Sequence, residues 1–529
     1  MKPLKKILFI IAIIITFRSY SQATAQIVPQ PNQIEVFENG TFTVSENTSI
    51  KKSDDSKTIS KVLKTLFKEE FNIDVKIVSA KKSNQIQFAQ DGSMAKEAYQ
   101  LEVTTNEIKI TAAGYSGWFY GVQSLDQLIS SSKKIPILKI KDTPRFAWRA
   151  YMLDESRYFQ GEQFVKKILD EMALLKMNTF HWHLTDDAGW RIEIKKYPKL
   201  TEVGSKRQDS EIETWGSGKT SGKPHSGFYT QKQIKDIVAY AKERNITIIP
   251  EFEMPGHSSA AIASYPWLGT LGKQIPVPAK FGRHYDNYDV TNPKVTQFVQ
   301  DVLLELFELF PSKVIHIGGD EVDYTVWKKT KHVQDYMKEH KLNTPADLQI
   351  YFTNSISKFI ESKGRRMMGW NEIMGINIHK DFEEKQNDKE AESSLAQNVV
   401  VHFWKGDISL ISKAAAKGYD LVNSIHYNTY LDYSYKSIPL SKAYNFNPIP
   451  KGLDKKYHKN IYGLGCQMWT EWTPTNNDVE YQTFPRIAAY AEVGWTDLKN
   501  KDYASFKLRL EKLKVRWNGV NINYSKVVE

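Results

Sequence analysis

The stretch most informative about the fold is Val314-Ile315-His316-Ile317-Gly318-Gly319-Asp320-Glu321. Its first four residues are typical of a buried strand, and the glycine pair predicts a turn that presents two adjacent carboxylates. Neighbouring side chains in extended backbone point in different directions. We therefore expect Asp320 and Glu321 to contact different atoms of any bound molecule. The alternative is a helix N-terminus, where acidic residues are favoured by the helix dipole.

Seven other apolar runs of strand length occur in the chain, and each ends in polar or aromatic residues. Amphipathic stretches lie between most of them; Phe164, Ile168 and Met172, for example, share one face of a predicted helix. Eight alternating strand and helix units predict an α/β fold of the (β/α)8 TIM-barrel type. We expect one helix of the ring to be missing after the seventh run. The predicted strands are 149–153, 177–184, 246–252, 314–317, 366–370, 399–404, 419–424 and 462–469.

The chain divides into three predicted parts. They are a signal peptide at 1–25, a small non-catalytic α+β domain at 26–145, and a catalytic barrel with a C-terminal helix at 146–529. The α+β domain is inferred from short alternating runs between residues 74 and 111 and from helical stretches at 60–71 and 118–129. A loop at 206–225 and a charged segment at 380–396 are predicted insertions beside the barrel rim.

The N-terminus has the features of an export signal. Lys2, Lys5 and Lys6 precede an apolar run at 7–17, and small residues ending at Ala25 follow. The run is shorter than the roughly 20 residues that span a bilayer. We therefore predict an exported chain, either periplasmic, secreted or surface-associated, with no transmembrane segment after cleavage. An uncleaved anchor is the alternative.

Composition limits the classes of partner. The net charge is +11, which favours anionic surroundings. The basic residues are dispersed, however, and outside the N-terminus no basic run has interleaved aromatic residues, so we predict no nucleic-acid partner. The single cysteine, Cys466, excludes an internal disulfide framework.

Active sites of TIM barrels lie at the carboxyl ends of the strands, so the residues that follow the eight runs should meet. Aromatic faces can pack on the C–H groups of a sugar ring, while carboxylates and a guanidinium bind its hydroxyls. A closed pocket for one terminal sugar is therefore predicted, whereas Trp182, Trp190 and Trp472 are expected to pack in the core. Besides Asp320 and Glu321, the candidate site residues are Arg157, Asp186, His257, Trp370, Trp404, Tyr430, Asp432, Trp469 and Glu471.

A metal site is the alternative for several residues at this rim, namely His181, His183, Asp186, His257 and Asp320. Two histidines separated by one residue on a strand place both rings on one face. The alternation of Trp182 and Leu184 with these histidines equally fits a strand buried on both sides. A third possibility is a relay from His183 and His257 to Glu321 through Asp186. We predict no metal and no cofactor.

Several motifs, in a fixed order over nearly the whole mature chain, resemble the β-N-acetylhexosaminidases of glycoside hydrolase family 20. Members of this family carry a non-catalytic α+β domain before the barrel. The motifs are Leu153-Asp154-Glu155-Ser156-Arg157, Asn178-Thr179-Phe180-His181-Trp182-His183-Leu184-Thr185-Asp186-Asp187, Pro250-Glu251-Phe252-Glu253-Met254-Pro255-Gly256-His257, His316 to Glu321, Gly369-Trp370-Asn371-Glu372, Tyr430-Leu431-Asp432 and Trp469-Thr470-Glu471.

The resemblance implies an exo-acting retaining glycosidase that removes terminal β-linked N-acetylglucosamine or N-acetylgalactosamine with the help of the substrate's own 2-acetamido group. It implies Glu321 as general acid and base, Asp320 as partner of the acetamido N–H, and Tyr430 as partner of the acetamido oxygen. The remaining implied roles are pocket walls for Trp370, Trp404 and Trp469, hydroxyl contacts for Arg157, Asp432 and Glu471, and support of Glu321 for Asp186 and His257.

Two other functions stay open at this stage. One is a catalytically silent barrel that binds glycans, and the other is a chitinase-like endo-hydrolase, which would need an open groove. The preference between the two N-acetylhexosamines, the natural glycan and the oligomeric state are also left open.

Overall fold

A computed structural model describes residues 26–80, 83–129, 133–282, 286–376, 389–527 and 529. The predicted signal peptide at 1–25 lies outside these residues, as does most of the predicted insertion at 380–396. Within the described part of the chain, no helix has the length and apolar composition that a membrane crossing requires.

Eight parallel strands close into a barrel, which confirms the predicted (β/α)8 architecture. The eighth strand pairs with the first, and Cys466 lies opposite Tyr151 in that pair. The predicted limits of the strands differ from the observed limits by no more than two residues. The strands, called the first to the eighth barrel strand below, are Trp148–Asp154, Thr179–His183, Thr247–Glu251, Val314–His316, Arg366–Trp370, Val399–Phe403, Asp420–Asn423 and Ile461–Met468.

Helices surround the barrel. The long helix Pro345–Ser362 begins with a capping box, in which the Thr344 hydroxyl accepts from the Asp347 N–H and the Asp347 side chain accepts from the Thr344 N–H. After the seventh strand, two short helices replace the long one, in line with the predicted gap. The helices of this part are Glu162–Leu174, Lys199–Glu202, Gln231–Glu243, Ser259–Ser264, Pro293–Leu309, Thr325–Lys329, Lys331–Glu339, Pro345–Ser362, Ser409–Ala416, His426–Thr429, Leu440–Tyr444, Asn476–Thr483, Arg486–Trp495 and Tyr503–Gly519.

The N-terminal part is a seven-stranded mixed sheet with two helices, Lys57–Phe71 and Tyr115–Leu128. Four of its strands and both helices were predicted from the sequence. The strands Gln33–Thr43, Ser49–Lys51 and Lys134–Asp142 were not predicted. The strand order across the sheet is Gln33–Thr43, Lys134–Asp142, Tyr99–Val103, Glu107–Ala112, Gln85–Gln90, Ser49–Lys51 and Lys76–Val78.

A buried polar cluster joins the sheet to the barrel. Lys176 Nζ lies 3.3 Å from Asp142 Oδ2, and both side chains are completely buried. The Tyr99 hydroxyl and Trp495 Nε1 also donate to that oxygen, at 2.7 and 2.9 Å. Because buried charges are tolerated only when paired and hydrogen-bonded, this cluster holds the two parts in one relative position.

Candidate active site

The turn after the fourth barrel strand depends on its two glycines. Gly318 and Gly319 have φ angles of 63° and 90°, in the left-handed region. A Cβ atom on Gly318 would lie 1.7 Å from Glu253 Oε2, and one on Gly319 would lie 2.5 Å from Ile373 Cγ2. Glu321 is also left-handed, with φ 51°. The prediction that Asp320 and Glu321 lie on extended backbone is therefore wrong. The two side chains start from a turn.

The two acids approach one histidine from different environments. The Asp320 side chain is 11% exposed, whereas the Glu321 side chain is 25% exposed. His257 Nε2 lies 3.8 Å from Asp320 Oδ2 and 3.8 Å from Glu321 Oε2. Burial raises the pKa of Asp320 well above its usual range; His257 offsets part of this rise, while Glu372 and Glu321 add to it. The pair thus combines one desolvated carboxyl with one that solvent reaches.

A chain of charged groups leads away from Glu321. His257 Nδ1 lies 3.3 Å from Asp186 Oδ1, and His183 Nε2 lies 2.9 Å from Asp186 Oδ2. Arg157 Nη2 is 2.9 Å from the same oxygen. Burial raises the pKa of Asp186, but Arg157 and His257 hold it well below the usual value. Burial lowers the pKa of His257, but Asp186 raises it well above normal, so this ring is an imidazolium. The predicted relay residues are therefore adjacent.

Aromatic rings form the wall of the pocket. The ring centroid of Trp370 lies 6.5 Å from that of Trp404 and 6.0 Å from that of Trp469. The Tyr430 ring lies 6.1 Å from each of the rings of Trp404 and Trp469. Trp404 Nε1 donates to Glu372 Oε2 at 2.8 Å, which fixes the orientation of this indole. The structure thus brings the four predicted aromatic residues together and adds Glu372 as their support.

Arg157 lies at one end of the pocket among three acids. Its Nη1 is 3.3 Å from Asp154 Oδ2, and its Nη2 is 3.7 Å from Glu471 Oε1. Its guanidinium carbon lies 5.0 Å from the centre of the Trp469 ring. Burial and the nearby Glu471 raise the pKa of Asp432 well above normal. This end of the pocket therefore offers fixed donors and acceptors for hydroxyl groups.

Several polar atoms in the pocket are left for a ligand. Asp320 Oδ1, Asp432 Oδ1 and Trp370 Nε1 are buried and have no hydrogen-bond partner among the described residues. An unpaired buried polar group costs about 1–3 kcal/mol. A ligand that fills this pocket should therefore carry both donor and acceptor groups, as an N-acetylated sugar does.

A chain of hydrogen bonds beneath the pocket was not predicted. The Gly318 N–H donates to His316 Nδ1 at 3.0 Å, which favours the tautomer of this ring with its proton on Nε2. In that tautomer Nε2 donates to His402 Nδ1 at 3.2 Å, and His402 Nε2 in turn donates to Ser424 Oγ at 2.8 Å. Trp370 stacks on His402 at 4.1 Å. We call His316, His402 and Ser424 the floor chain. One polar residue, His402, in the otherwise apolar run of the sixth barrel strand was the available sequence signal.

The histidines proposed as metal ligands have other partners. His181 Nε2 and His183 Nδ1 lie 2.9 and 2.6 Å from Glu251 Oε2, and His316 Nδ1 lies 2.8 Å from Glu251 Oε1. Of these contacts the one at His183 is a hydrogen bond, whereas His181 Nε2 and Glu251 Oε1 have no hydrogen-bond partner among the described residues. His257 bridges acids, as described above. His183 and His257 thus contact carboxylates directly, and His181, Glu251 and His316 lie close enough together to hold a metal ion.

The tryptophans predicted to pack in the core differ from one another. Trp182 and Trp190 are fully buried. Trp472 is only partly buried and belongs to a separate apolar cluster beside the rim. The loop at 206–225 lies next to that cluster, since Arg207 stacks against Tyr158 with its guanidinium carbon 4.8 Å from the ring centre.

Comparison with known proteins assigns both parts of the chain to one family. Residues 146–498 match the glycosyl hydrolase family 20 catalytic domain, and residues 24–143 match glycosyl hydrolase family 20, domain 2. A β-hexosaminidase of Porphyromonas gingivalis is 35% identical, over 94% of this chain and 64% of its own length. The chain thus spans slightly under two thirds of that relative. A β-hexosaminidase of Vibrio furnissii is 32% identical, over 89% of this chain and 77% of its own length.

Solved structures agree with the sequence comparison. An exo-β-N-acetylglucosaminidase from Vibrio harveyi, solved in complex with N-acetylglucosamine, superimposes with a TM-score of 0.82 at 31% identity, covering 95% of this chain and 79% of that one. A β-N-acetylhexosaminidase from Bacteroides fragilis gives 0.80 at 28% identity, covering 95% and 97%. With the family's catalytic domain matched over the whole barrel and its second domain over the preceding sheet, this chain belongs to glycosyl hydrolase family 20.

Proposed function

We propose that this protein is an exo-acting, retaining β-N-acetylhexosaminidase that removes terminal non-reducing N-acetylglucosamine or N-acetylgalactosamine. The 2-acetamido oxygen of the substrate acts as the nucleophile, and an oxazolinium intermediate forms and is then opened by water. The names of the relatives support the substrate class, and the pocket chemistry supports the mechanism.

The observation that carries the proposal is the buried Asp320 Oδ1, which has no partner among the described residues. An acetamido N–H would supply the missing donor and would favour the ionised form of this carboxyl. Positive charge on the acetamido group would grow as its oxygen attacks the anomeric carbon. A carboxylate held in a buried site interacts strongly with such charge. Tyr430, whose ring borders the same pocket, is the proposed donor to the acetamido oxygen.

Glu321 is the proposed proton carrier. In the first step its carboxyl group gives a proton to the glycosidic oxygen as the bond from the anomeric carbon breaks. In the second step the resulting carboxylate takes a proton from the water that attacks that carbon. The His257 imidazolium, 3.8 Å from Glu321 Oε2, stabilises this carboxylate between the two steps. Each cycle thus returns Glu321 to its protonated form.

A test combines a change in the enzyme with a change in the substrate. Wild type and Asp320→Asn are assayed on an aryl 2-acetamido-2-deoxy-β-glucoside and on the aryl β-glucoside that lacks the acetamido group. We expect wild type to cleave only the first. Asn cannot supply negative charge, so kcat on that substrate should fall by about 10²–10³-fold, the effect of losing one transition-state contact in a buried site. Asp323→Asn, three residues further along the same loop, is the matched control.

Equal cleavage of both substrates by wild type would indicate a protein nucleophile and refute the mechanism. An unchanged kcat in Asp320→Asn would refute the role of Asp320. Binding of N-acetylglucosamine without cleavage of either substrate would favour a silent glycan-binding barrel instead.

We also propose that the chain is exported, on the basis of the basic start and apolar run at residues 7–17. N-terminal sequencing of the mature protein from a cell fraction is the test. A first residue of Gln26 would support cleavage after Ala25, and an intact Met1 would contradict it.

A further inference from the structure

The loop that carries the two acids is strained and needs support from its surroundings. Gly318, Gly319 and Glu321 all have positive φ angles, of 63°, 90° and 51°. A glutamate in this conformation is unfavourable, and such residues persist only where the surrounding structure holds them. The Glu321 side chain is also more exposed than that of Asp320, so packing restrains it less. The hydrogen bonds on either side of Glu321 therefore matter for the position of its carboxyl group.

One buried amide bonds to the chain on both sides of Glu321. Gln349 is 3% exposed, and its Nε2 donates to the Gly319 carbonyl at 2.8 Å. Its Oε1 accepts from the Tyr324 hydroxyl. A carbonyl oxygen can only accept, so the amide nitrogen must face Gly319 and the amide oxygen must face Tyr324. Gln349 thus bridges residues 319 and 324, and both acids lie between these two points.

Gln349 is itself held by a fixed element. It lies near the start of the helix Pro345–Ser362, whose first turn is stabilised by the capping box described above. The residues on either side of it, Leu348 and Ile350, are buried in the core. Side chains on helices are placed more accurately than side chains on loops. The helix therefore gives the loop a rigid reference point, and the Gln349 amide is the group that connects the two.

We propose that Gln349 is a positioning residue for Glu321, the proposed proton carrier. The inference rests on the proposed function and adds to it a residue that acts through the loop and not on the substrate. Proton transfer to the glycosidic oxygen requires the carboxyl group within hydrogen-bond reach of that oxygen. Without the Gln349 bridge, the strained loop can relax and move Glu321 out of reach. Proton transfer should then slow, while the pocket keeps its affinity for the sugar.

The test compares two substrates that need different amounts of help from a general acid. The 4-nitrophenyl 2-acetamido-2-deoxy-β-glucoside has an acidic leaving group, whereas the β-1,4-linked N-acetylglucosamine disaccharide has a sugar alcohol, which must be protonated as it leaves. The quantity measured is the ratio of kcat/KM for the disaccharide to kcat/KM for the nitrophenyl substrate. The dissociation constant of N-acetylglucosamine is measured beside it, as a readout of the pocket itself.

The variants remove the bridge in two steps. Gln349→Met keeps a side chain of similar length and removes both hydrogen bonds. Tyr324→Phe removes one of them and keeps the ring, which stacks on Trp327 at 5.6 Å. The matched control is Gln127→Met, which removes another buried amide, one that donates to two backbone carbonyls in the N-terminal part and its contact with the barrel.

We expect Gln349→Met to lower the ratio about five- to tenfold and Tyr324→Phe to lower it about two- to fivefold, as the loss of one or two hydrogen bonds predicts. Gln127→Met should leave the ratio unchanged, and the dissociation constant of N-acetylglucosamine should stay within twofold of wild type in all three variants.

A ratio within twofold of wild type for Gln349→Met would overturn the proposal. An equal loss on both substrates would also overturn it, since that result indicates a general disturbance of the site. If Gln349→Met does not fold, Tyr324→Phe decides alone, and an unchanged ratio there would overturn the proposal. These outcomes leave the proposed function standing, because wild type still cleaves both substrates. Wild type that cleaves neither would overturn the proposed function, and this inference with it.

Discussion

Replacement of His402 by phenylalanine should slow catalysis although His402 lies beneath the pocket floor. A phenylalanine ring can keep the stacking on Trp370, which is 4.1 Å from His402 in the native protein. It removes the acceptor for His316 Nε2 and the donor to Ser424 Oγ. The other His316 tautomer, protonated on Nδ1, then becomes favourable because Glu251 Oε1 lies 2.8 Å from Nδ1 and can accept that proton.

The size of the effect follows from the bond that this tautomer loses. With a proton on Nδ1, His316 can no longer accept the Gly318 N–H, which donates to it at 3.0 Å in the native chain. A typical hydrogen bond contributes about 0.5–1.5 kcal/mol net. If the loss of this bond raises the free energy of the transition state by the same amount, because Asp320 and Glu321 are less well positioned, kcat falls by about two- to tenfold. Any His316 Nε2–H that stays unpaired adds about 1–3 kcal/mol of destabilisation to the fold.

Three measurements check this reasoning. The first is kcat and KM on the aryl 2-acetamido-2-deoxy-β-glucoside, where kcat should fall more than KM changes. The second is the ¹⁵N shift of the His316 ring nitrogens, which should report a change from the Nε2–H to the Nδ1–H tautomer. The third is the pH profile. Burial lowers the pKa of His316 to about 4 and that of His402 well below normal, so the loss should be constant from pH 5 to 8.

Ser424→Ala serves as the partner variant. It removes the acceptor of His402 Nε2–H. In an otherwise wild-type chain this substitution leaves the His402 N–H unpaired, whereas in His402→Phe that N–H is already absent. Ser424→Ala should therefore lower the thermal midpoint less in the His402→Phe background than in the wild-type background. Strict additivity of the two substitutions would mean that the bond is not formed. An unchanged His316 tautomer with unchanged kcat in His402→Phe would refute the floor chain as a positioning device.

Further predictions concern the domain contact, the turn and the pocket wall. Burial lowers the pKa of Lys176 to about 8, with Asp142 offsetting part of this shift. Between pH 8 and 10.5 the unfolded chain therefore holds more protons than the folded chain, so the free energy of unfolding of wild type should rise with pH, by up to about 3 kcal/mol relative to Lys176→Met. Urea unfolding of both proteins at several pH values measures this difference. Equal pH dependence of the two proteins would contradict the prediction. Gly319→Ala places a side chain on a residue with a left-handed φ, and its Cβ would lie 2.5 Å from Ile373 Cγ2. We therefore expect a loss of activity of more than tenfold and a lower thermal midpoint. Wild-type activity and midpoint would show that the turn can adapt. Glu372→Ala removes the acceptor of Trp404 Nε1 and should raise KM several-fold. Glu372→Gln keeps an acceptor oxygen, so its KM should stay close to that of wild type. Identical KM values for both variants would exclude a role of Glu372 in orienting the Trp404 indole.

The residues of the candidate site were predictable because the barrel imposes a simple rule. Strand-length apolar runs are visible in the sequence, and parallel strands in a closed barrel bring their carboxyl ends to one rim. Knowing where the runs at 314–317 and 366–370 stop was enough to place Asp320, Glu321 and Trp370 together. The strand Lys134–Asp142 was harder to predict, since Pro136 and Lys139 interrupt its apolar run; in the fold it pairs with Gln33–Thr43 on one side and with Tyr99–Val103 on the other.

The sequence by itself determined the barrel, its rim and the kinds of side chain at the rim, namely carboxylate, guanidinium, imidazole and aromatic groups. Each of these depends on local periodicity and on where the strands end. Tertiary structure alone decided the hydrogen-bond partners in the floor chain, whose members are 86 and 22 residues apart, and the contact between Trp215 and Trp472, whose rings lie 5.4 Å apart. It also decided that the Asp320 side chain is more deeply buried than that of Glu321. Hydrogen-bond direction, burial and pKa depend on neighbours that are distant in sequence, and only the packed fold brings those neighbours into contact.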